Sequence, residues 1–374
     1  MTARNVLVMR TSRLRVTMSE VEPAVLRVLD VPAGVLLPEL HDILQVVVGW
    51  SDSHLHQFVA DGVAYGMPDT DAFDDERDET GVPLRALPGH FSYLYDFGDG
   101  WEHEVEVIGA GGERPRVVAG EGACPPEDVG GPYGYADFRK VLADPGHPEH
   151  DDLRGWAGNW HDSFDLAAAD LLLRQTVGAV PAPVRLLLGL AADGVKLTPG
   201  GRLPRALVRQ VQETYASWSV VDRPASIEED LPPLAVLDDL LRDVGLLRLR
   251  KGVLAPTRAA GDDIDVIRRL RSWFGPERGF ISILVGDALA SLAAEGPRNP
   301  QDLAARLLGL LGDRWVTSQG QALDVAGTRS ELYRLEPVIV GLDLVQSSEG
   351  VWAAGPSARW LLPRATALAH LWLS

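Results

Sequence analysis

Apolar and polar positions in the first half of the chain change period several times. Leu14 to Val31 alternates with period two, Leu26 and Val28 being apolar, and reads as two strands joined near Glu20–Pro23. From Pro38 the period lengthens: Leu40, Ile43, Leu44, Val47 and Val48 recur at helical spacing. Pro38 suits a first turn and Gly49 a C-terminal cap, so a helix is predicted that turns Glu39, His41, Asp42 and Gln45 away from its apolar face. Strand alternation in the next segment puts His54, His56 and Phe58 on one face, with Leu55, Gln57 and Val59 on the other. Asp69 to Thr80, DTDAFDDERDET, reads as a solvated acidic loop.

Phe91 to His103, FSYLYDFGDGWEH, reads as a hairpin. A three-residue loop Gly98-Asp99-Gly100, with Gly100 left-handed, sets Phe97 against Trp101, Tyr95 against His103 and Tyr93 against Val105. Aromatic residues then share one face, while Asp96, Leu94 and Ser92 oppose Glu102, Glu104 and Glu106 on the other. Asp96 across from Glu102 calls for a nearby positive charge, for screening by water, or for backbone amides in the turn that bond Asp96. Ala123 to Tyr135, ACPPEDVGGPYGY, is excluded from regular structure by two adjacent prolines and three glycines. Such a stiff loop holds Glu127 and Asp128 in fixed positions, as a binding site or a purely architectural element requires. A helix with Phe138, Val141 and Leu142 on its apolar side follows, and Ser163 or Asp165 caps another over Leu166 to Thr176.

After Pro181-Ala-Pro183 the pattern becomes that of leucine-rich helices, which sets a domain boundary: residues 1–178 and 179–374. Leu203, Leu207, Val211 and Tyr215 fall on one helical face, as do Leu234, Leu237, Leu241 and Val244. Gly245 to Pro256 reads as a hairpin turning at Lys251-Gly252, and a similar sequence returns from Gly341 to Ala354. Gly194-Val-Lys-Leu resembles the outgoing strand of such a unit. Helices followed by these hairpins suggest winged-helix-like units. The fold class is therefore α+β, a curved mixed sheet with packed helices followed by a mainly helical, winged-helix-like domain.

Charge divides along the same boundary. Residues 1–178 hold 13 Arg and Lys against 31 Asp and Glu, whereas residues 179–374 hold 22 of each. The first half is thus unsuited to nonspecific phosphate binding. Arg248, Arg250 and Lys251, on the first predicted wing, form the nucleic-acid candidate; the second wing carries Asp343 and Glu349 and repels phosphate. The single cysteine, Cys124, excludes a disulfide framework, and the absence of a leader pattern or a long apolar run predicts a cytoplasmic protein without a membrane segment.

No phosphate loop, G-x-S-x-G turn or H-E-x-x-H helix is present. His147-Pro-Glu-His150 is interrupted by prolines and reads as a solvated loop; Cys124 reads as a small buried residue rather than a nucleophile. The candidate pocket comprises His54, His56, Asp96, Asp99, Trp101, His103, Glu127, Asp128 and Tyr135.

Trp50-Ser51, His54-Leu-His56, Phe58, Tyr95-Asp-Phe-Gly-Asp99, Trp101, His103, Cys124-Pro-Pro-Glu-Asp128, Gly130-Gly131 and Tyr135 occur in one order. This pattern resembles the plasmid pRiA4b ORF-3-like family, which includes a passenger protein of a mycobacterial insertion element. The resemblance spans roughly residues 4–178 and implies a compact α+β domain on a curved sheet; it implies no activity. Where family members often carry a tryptophan-arginine pair in the second strand, this chain has Ala24-Val25-Leu26-Arg27. The leading expectation is a non-enzymatic adaptor or accessory factor associated with mobile DNA, with a protein partner, and DNA as a candidate partner of the second half. The alternative is a metal-dependent hydrolase or nuclease drawing ligands and a base from the pocket residues.

Overall fold

The computed structural model describes residues 10–67, 76–158, 160–275, 278–311 and 322–361. Two compact units divide the chain, Met1–Val177 and Gly178–Ser374. The first is an eight-stranded mixed sheet with helices, and the second is mostly helical.

In the first unit, β1 (Thr11–Met18) and β2 (Leu26–Pro32) pair antiparallel, followed by α1 (Leu37–Val48), β3 (His56–Ala60), β4 (Val63–Gly66) and β5 (Arg77–Asp78). Next come β6 (His90–Tyr95), β7 (Trp101–Ala110), β8 (Arg116–Glu121), α2 (Gly131–Ala143), α3 (His150–Ala157) and α4 (Leu166–Val177). The sheet order is β5-β4-β3-β6-β7-β1-β2-β8, and only the β4–β5 pair is parallel. Bulges at Arg13/Leu14 and Val28/Leu29 add local bend to the central strands. The core lies where α1 covers the sheet: Leu14, Leu29, Leu37, Leu40, Leu44, Phe58, Tyr93 and Val105 are all buried. Burying each aliphatic or phenyl side chain contributes about 1.5–3 kcal/mol, which is why the apolar period of α1 decides its orientation.

Its polar face reaches solvent only in part: Glu39 and Asp42 are half-buried. His41 and Gln45 are buried, because the Tyr93 hydroxyl on the facing sheet bonds both, at 2.8 Å from His41 Nδ1 and 3.0 Å from Gln45 Nε2. Gln45 Oε1 in turn accepts from Asp52 N–H (3.0 Å). The acidic run is also not wholly solvated. Residues 69–75 lie outside the described ones, but Glu79 is buried and bonds His56 Nε2 at 3.1 Å.

The second unit begins with α5 (Ala182–Leu190), β9 (Val195–Lys196), α6 (Arg205–Thr214) and α7 (Pro232–Asp243). The hairpin β10 (Leu247–Arg250) and β11 (Val253–Pro256) follows, and β9 adds to it in the order β10-β11-β9. Then come α8 (Asp263–Ser272), α9 (Phe280–Glu295), α10 (Pro300–Leu311), α11 (Val325–Gly341) and a second hairpin, β12 (Val345–Ser348) with β13 (Val351–Ala354). Both hairpins turn through two left-handed residues, Lys251-Gly252 and Glu349-Gly350, the geometry that matches strand twist in a two-residue loop. An isolated bridge between Arg298 and Trp352 stands where β9 stands in the first repeat. Tyr215 ends α6 as its cap and stacks on Trp218 at 4.4 Å rather than extending the helical face. Among the described residues, no single helix is long and apolar enough to cross a membrane.

Candidate functional site

The hairpin of β6 and β7 keeps its predicted aromatic face but not its predicted register. Tyr95 opposes Trp101, Tyr93 opposes His103 and Phe91 opposes Val105, two residues away from the expected pairing. The loop has five residues, Asp96 to Gly100, because Asp96 leaves the strand in a left-handed conformation (φ 55°) and donates its N–H to Leu55 O at 2.9 Å. A shift of two preserves the faces, so burial does not distinguish the two registers; the bond to Leu55 does. Asp96 therefore does not oppose Glu102. Its Oδ1 accepts from Gly98 N–H (2.9 Å) and Asp99 N–H (3.3 Å), the turn-amide alternative, and Phe97 is exposed.

The proline-glycine loop folds onto this hairpin through several separate bonds. Trp50 Nε1 donates to Pro125 O (3.1 Å), and the Trp50 ring stacks on Tyr95 at 4.7 Å. Glu127 is held by Ser51 N–H (2.8 Å), Ser51 Oγ (3.1 Å) and the Tyr95 hydroxyl, 3.2 Å from both carboxylate oxygens. Burial and then the Glu127 charge push the Tyr95 hydroxyl well above its ordinary range, so it stays a donor. Asp99 Oδ2 accepts from Gly130 N–H at 3.0 Å. On the other side of the loop, Trp160 Nε1 donates to Cys124 O (2.7 Å) and Tyr135 Oη to Ala123 O (3.2 Å).

Gly131 is required by this closure. Its φ is +69°, and a Cβ there would lie 2.4 Å from Asp99 O. Gly131→Ala should destabilise the first unit by roughly 3 kcal/mol, combining left-handed strain with overpacking against backbone. Gly100→Ala, also left-handed but with open space around the Cβ, should lose only the first part, about 1–2 kcal/mol. Equal losses in denaturant melts of the two variants would show that the loop does not press on the hairpin.

His54 precedes β3 rather than belonging to it, and so escapes the alternation expected of it. Its Nε2 lies 3.1 Å from Asp128 Oδ1, 3.6 Å from Asp96 Oδ2 and 3.7 Å from Glu127 Oε2. None of these contacts has hydrogen-bond geometry, and among the described residues the nitrogen has no other hydrogen-bond partner. Ligand atoms of His54, Asp96 and Asp128 all lie within 4.8 Å of one another, a spacing that suits one metal ion. Asp128, held left-handed at φ 59°, is 71% exposed at its side chain, so the cluster opens to solvent on that side.

Other candidate residues lie elsewhere. His56 is buried against Glu79 and stacks on His41, ring centroids 3.5 Å apart, so it shares no ion with His54. Trp101 and Tyr135 are buried packing residues, and Asp99 is occupied by Gly130. His103 is buried with Nδ1 at 3.1 Å from Tyr93 O; burial lowers it to about 4, so it is neutral at physiological pH. Cys124 is raised far above the ordinary thiol range by burial, which leaves no thiolate for nucleophilic attack. Sequence reasoning missed Ser51 and Ser53, whose N–H groups bond Glu127 and Tyr95, because main-chain donors carry no signal in residue type.

Arg27, placed in the second strand where the expected tryptophan-arginine pair is incomplete, is buried rather than at the surface. Its guanidinium donates to the carbonyls of Val47, Leu26, Glu121 and Gly122, and sits 3.8 Å over the Phe164 ring.

Residues 10–172 match the family described as plasmid pRiA4b ORF-3-like protein. An uncharacterised protein, y4hQ, of Sinorhizobium fredii (strain NBRC 101917 / NGR234) is 42% identical over 167 residues, covering 42% of this chain and 85% of that protein. A solved structure of a protein of unknown function from Methanosarcina mazei Go1 is 29% identical, covers 42% of this chain and 96% of its own, and has a TM-score of 0.38. With the hairpin and proline-glycine motifs in place and a relative matched over most of its length, the chain belongs to the plasmid pRiA4b ORF-3-like family.

Proposed function

We propose that the protein is a metal-dependent adaptor: its first unit holds one divalent ion on His54, Asp96 and Asp128, and its second unit contacts a macromolecular partner. The observation that carries this reading is the imidazole nitrogen without a hydrogen bond, facing three carboxylates. Among the described residues no Lys or Arg ion pair serves Asp96, Glu127 or Asp128, so their mutual repulsion is relieved best by a cation. Nitrogen and oxygen ligands at about 2.1 Å from a tetrahedral ion lie roughly 3.4 Å apart. The His54 contacts of 3.1 and 3.6 Å, to Asp128 and Asp96, bracket that spacing. One imidazole with carboxylates suits zinc or manganese.

Helix, strand, two helices and a hairpin occur in that order from α5 to β11, and a similar order recurs from α9 to β13, which supports two winged-helix-like units. The first wing exposes Arg248, Arg250 and Lys251, and the second exposes Glu349. A nucleic-acid contact is therefore assigned to the first wing and a protein contact to the second, in keeping with an accessory role. The hydrolase reading draws on one feature, the open side at Asp128, where a three-ligand ion would keep a position for water. Glu127 is a poor general base for it, being anchored by Ser51 and Tyr95.

The test is zinc and manganese titration of the chelator-treated full chain by calorimetry. One equivalent should bind, and His54→Ala and Asp96→Asn should each weaken binding by at least tenfold, about 1.4 kcal/mol. Binding unchanged in both variants, or absent in the parent, would remove the metal site.

A further inference from the structure

We propose a second site in the first unit, a cleft between α2 and α3 that takes a phosphate monoester with a flat apolar group. The cleft encloses about 330 Å³, the lower end of the range for small-molecule sites and enough for a single-ring compound. Its lining contains Arg139, Arg154, His150 and His161 against one carboxylate, Asp162, in a unit whose other described surface is dominated by acids. That local reversal of sign selects an anion.

The two arginines differ in how they are held. Arg139 is fixed in place: NH1 donates to Asp162 Oδ1 and to the Tyr135 hydroxyl (3.2 Å), and NH2 to Asp162 Oδ2 (2.9 Å). The Asp162 charge is thereby absorbed within the wall. Arg154 is exposed and, among the described residues, has one hydrogen bond, NH1 to Trp160 O at 3.3 Å, which leaves most of its five donors for a ligand. A guanidinium fork matches the paired oxygens of a phosphate, and the His161 imidazole alongside it supplies a further donor, whereas His150 has its Nδ1 committed to Asp151 at 3.0 Å and offers only its other ring nitrogen.

Leu142 and Ala143 line the cleft beside Trp160, which supplies its flat apolar wall. Its ring meets Phe138 edge-on at 5.1 Å, and its Nε1 is committed to Cys124 O, so the wall is formed before any ligand arrives. A ring on the ligand gains stacking area there without ordering a side chain.

The experiment is calorimetric titration of the full chain with phenyl phosphate, inorganic phosphate and benzoate. Phenyl phosphate should bind one to one and more tightly than either of the others, which lack the ring or the second charge. Arg154→Gln should weaken it about tenfold or more, the expected loss of a charge-assisted hydrogen bond. His161→Gln, another exposed position, should weaken it more modestly, and Arg248→Gln in the second unit should leave it unchanged. No saturable binding at concentrations around 10 mM would overturn the proposal. So would equal affinity in the parent and in both Arg154→Gln and His161→Gln, or a benzoate affinity matching that of phenyl phosphate.

Discussion

Replacing Arg27 by methionine should remove about 4 kcal/mol from the stability of the first unit, enough to unfold a marginal domain at moderate temperature. The guanidinium is buried among four backbone carbonyls, those of Val47, Leu26, Glu121 and Gly122. Burial draws it down to about 10, so it remains charged at neutral pH. An apolar replacement for a buried ionic group is often harmless when every partner is replaced with it. Here the partners are main chain and cannot be exchanged, so the carbonyls would stay buried with fewer donors. The stacking of the cation on Phe164 is lost as well. Arg27→Lys should recover only part of the loss, since a single ammonium on a flexible stem cannot reach four acceptors spread around a planar fork. Denaturant melts followed by near-ultraviolet circular dichroism would measure this. A loss below about 1 kcal/mol in the methionine variant would show that water or rearranged backbone satisfies those carbonyls.

Lowering the pH from 7 to 4 should cost the first unit roughly 3 kcal/mol through His103 alone. Burial lowers His103 from its ordinary 6.5 to about 4. Because the unfolded chain takes up the proton first, this stabilisation is fully present above pH 6.5 and is lost as the pH falls through that window to about 4. Asp30 acts in a lower range. Burial raises its carboxyl, but Arg13, the Gly112 amide and Arg116 outweigh burial and hold it below its ordinary 3.8, so its contribution fades only beneath that value. His103→Phe keeps a ring between Trp50 and Tyr93 and removes the titration, and should flatten stability between pH 7 and 4 relative to the parent. Parallel pH profiles for parent and variant would mean that folding leaves the His103 proton affinity unchanged, against the effect of burial.

The same residues show where sequence reasoning reached and where it stopped. Five strands of the first sheet (β1, β2, β3, β6 and β7), the helix from Leu37 to Val48 and both hairpins of the second unit were legible, because alternation, helical period and left-handed turn residues are local properties; β4, β5 and β8 were not. The aromatic face of the β6–β7 hairpin was legible too, but not its register. Two registers differing by two residues bury the same face, and the choice rests on a bond between Asp96 and Leu55, which the hairpin does not contain. Conversely, His41, Gln45 and Glu79 read as surface residues because polarity usually means solvent. Each is buried because a partner far away in sequence, Tyr93 for the first two and His56 for Glu79, satisfies it, as the Val47, Glu121 and Gly122 carbonyls satisfy the buried Arg27.

The candidate site divides in the same way. The chain itself determined that residues 91–103 would be a ribbon and 123–130 a rigid bend, since proline, glycine and aromatic content restrict the backbone; the bend does not run on to Tyr135 as expected, because Pro132 is tolerated in the first turn of a helix and α2 starts at Gly131. Only the tertiary structure decided that His54 meets Asp96 and Asp128 while His56, two residues on, turns inward to Glu79. The physical reason is that β3 begins at His56: strand geometry directs His56 into the core, while the loop before it leaves His54 free to follow the hairpin and the bend.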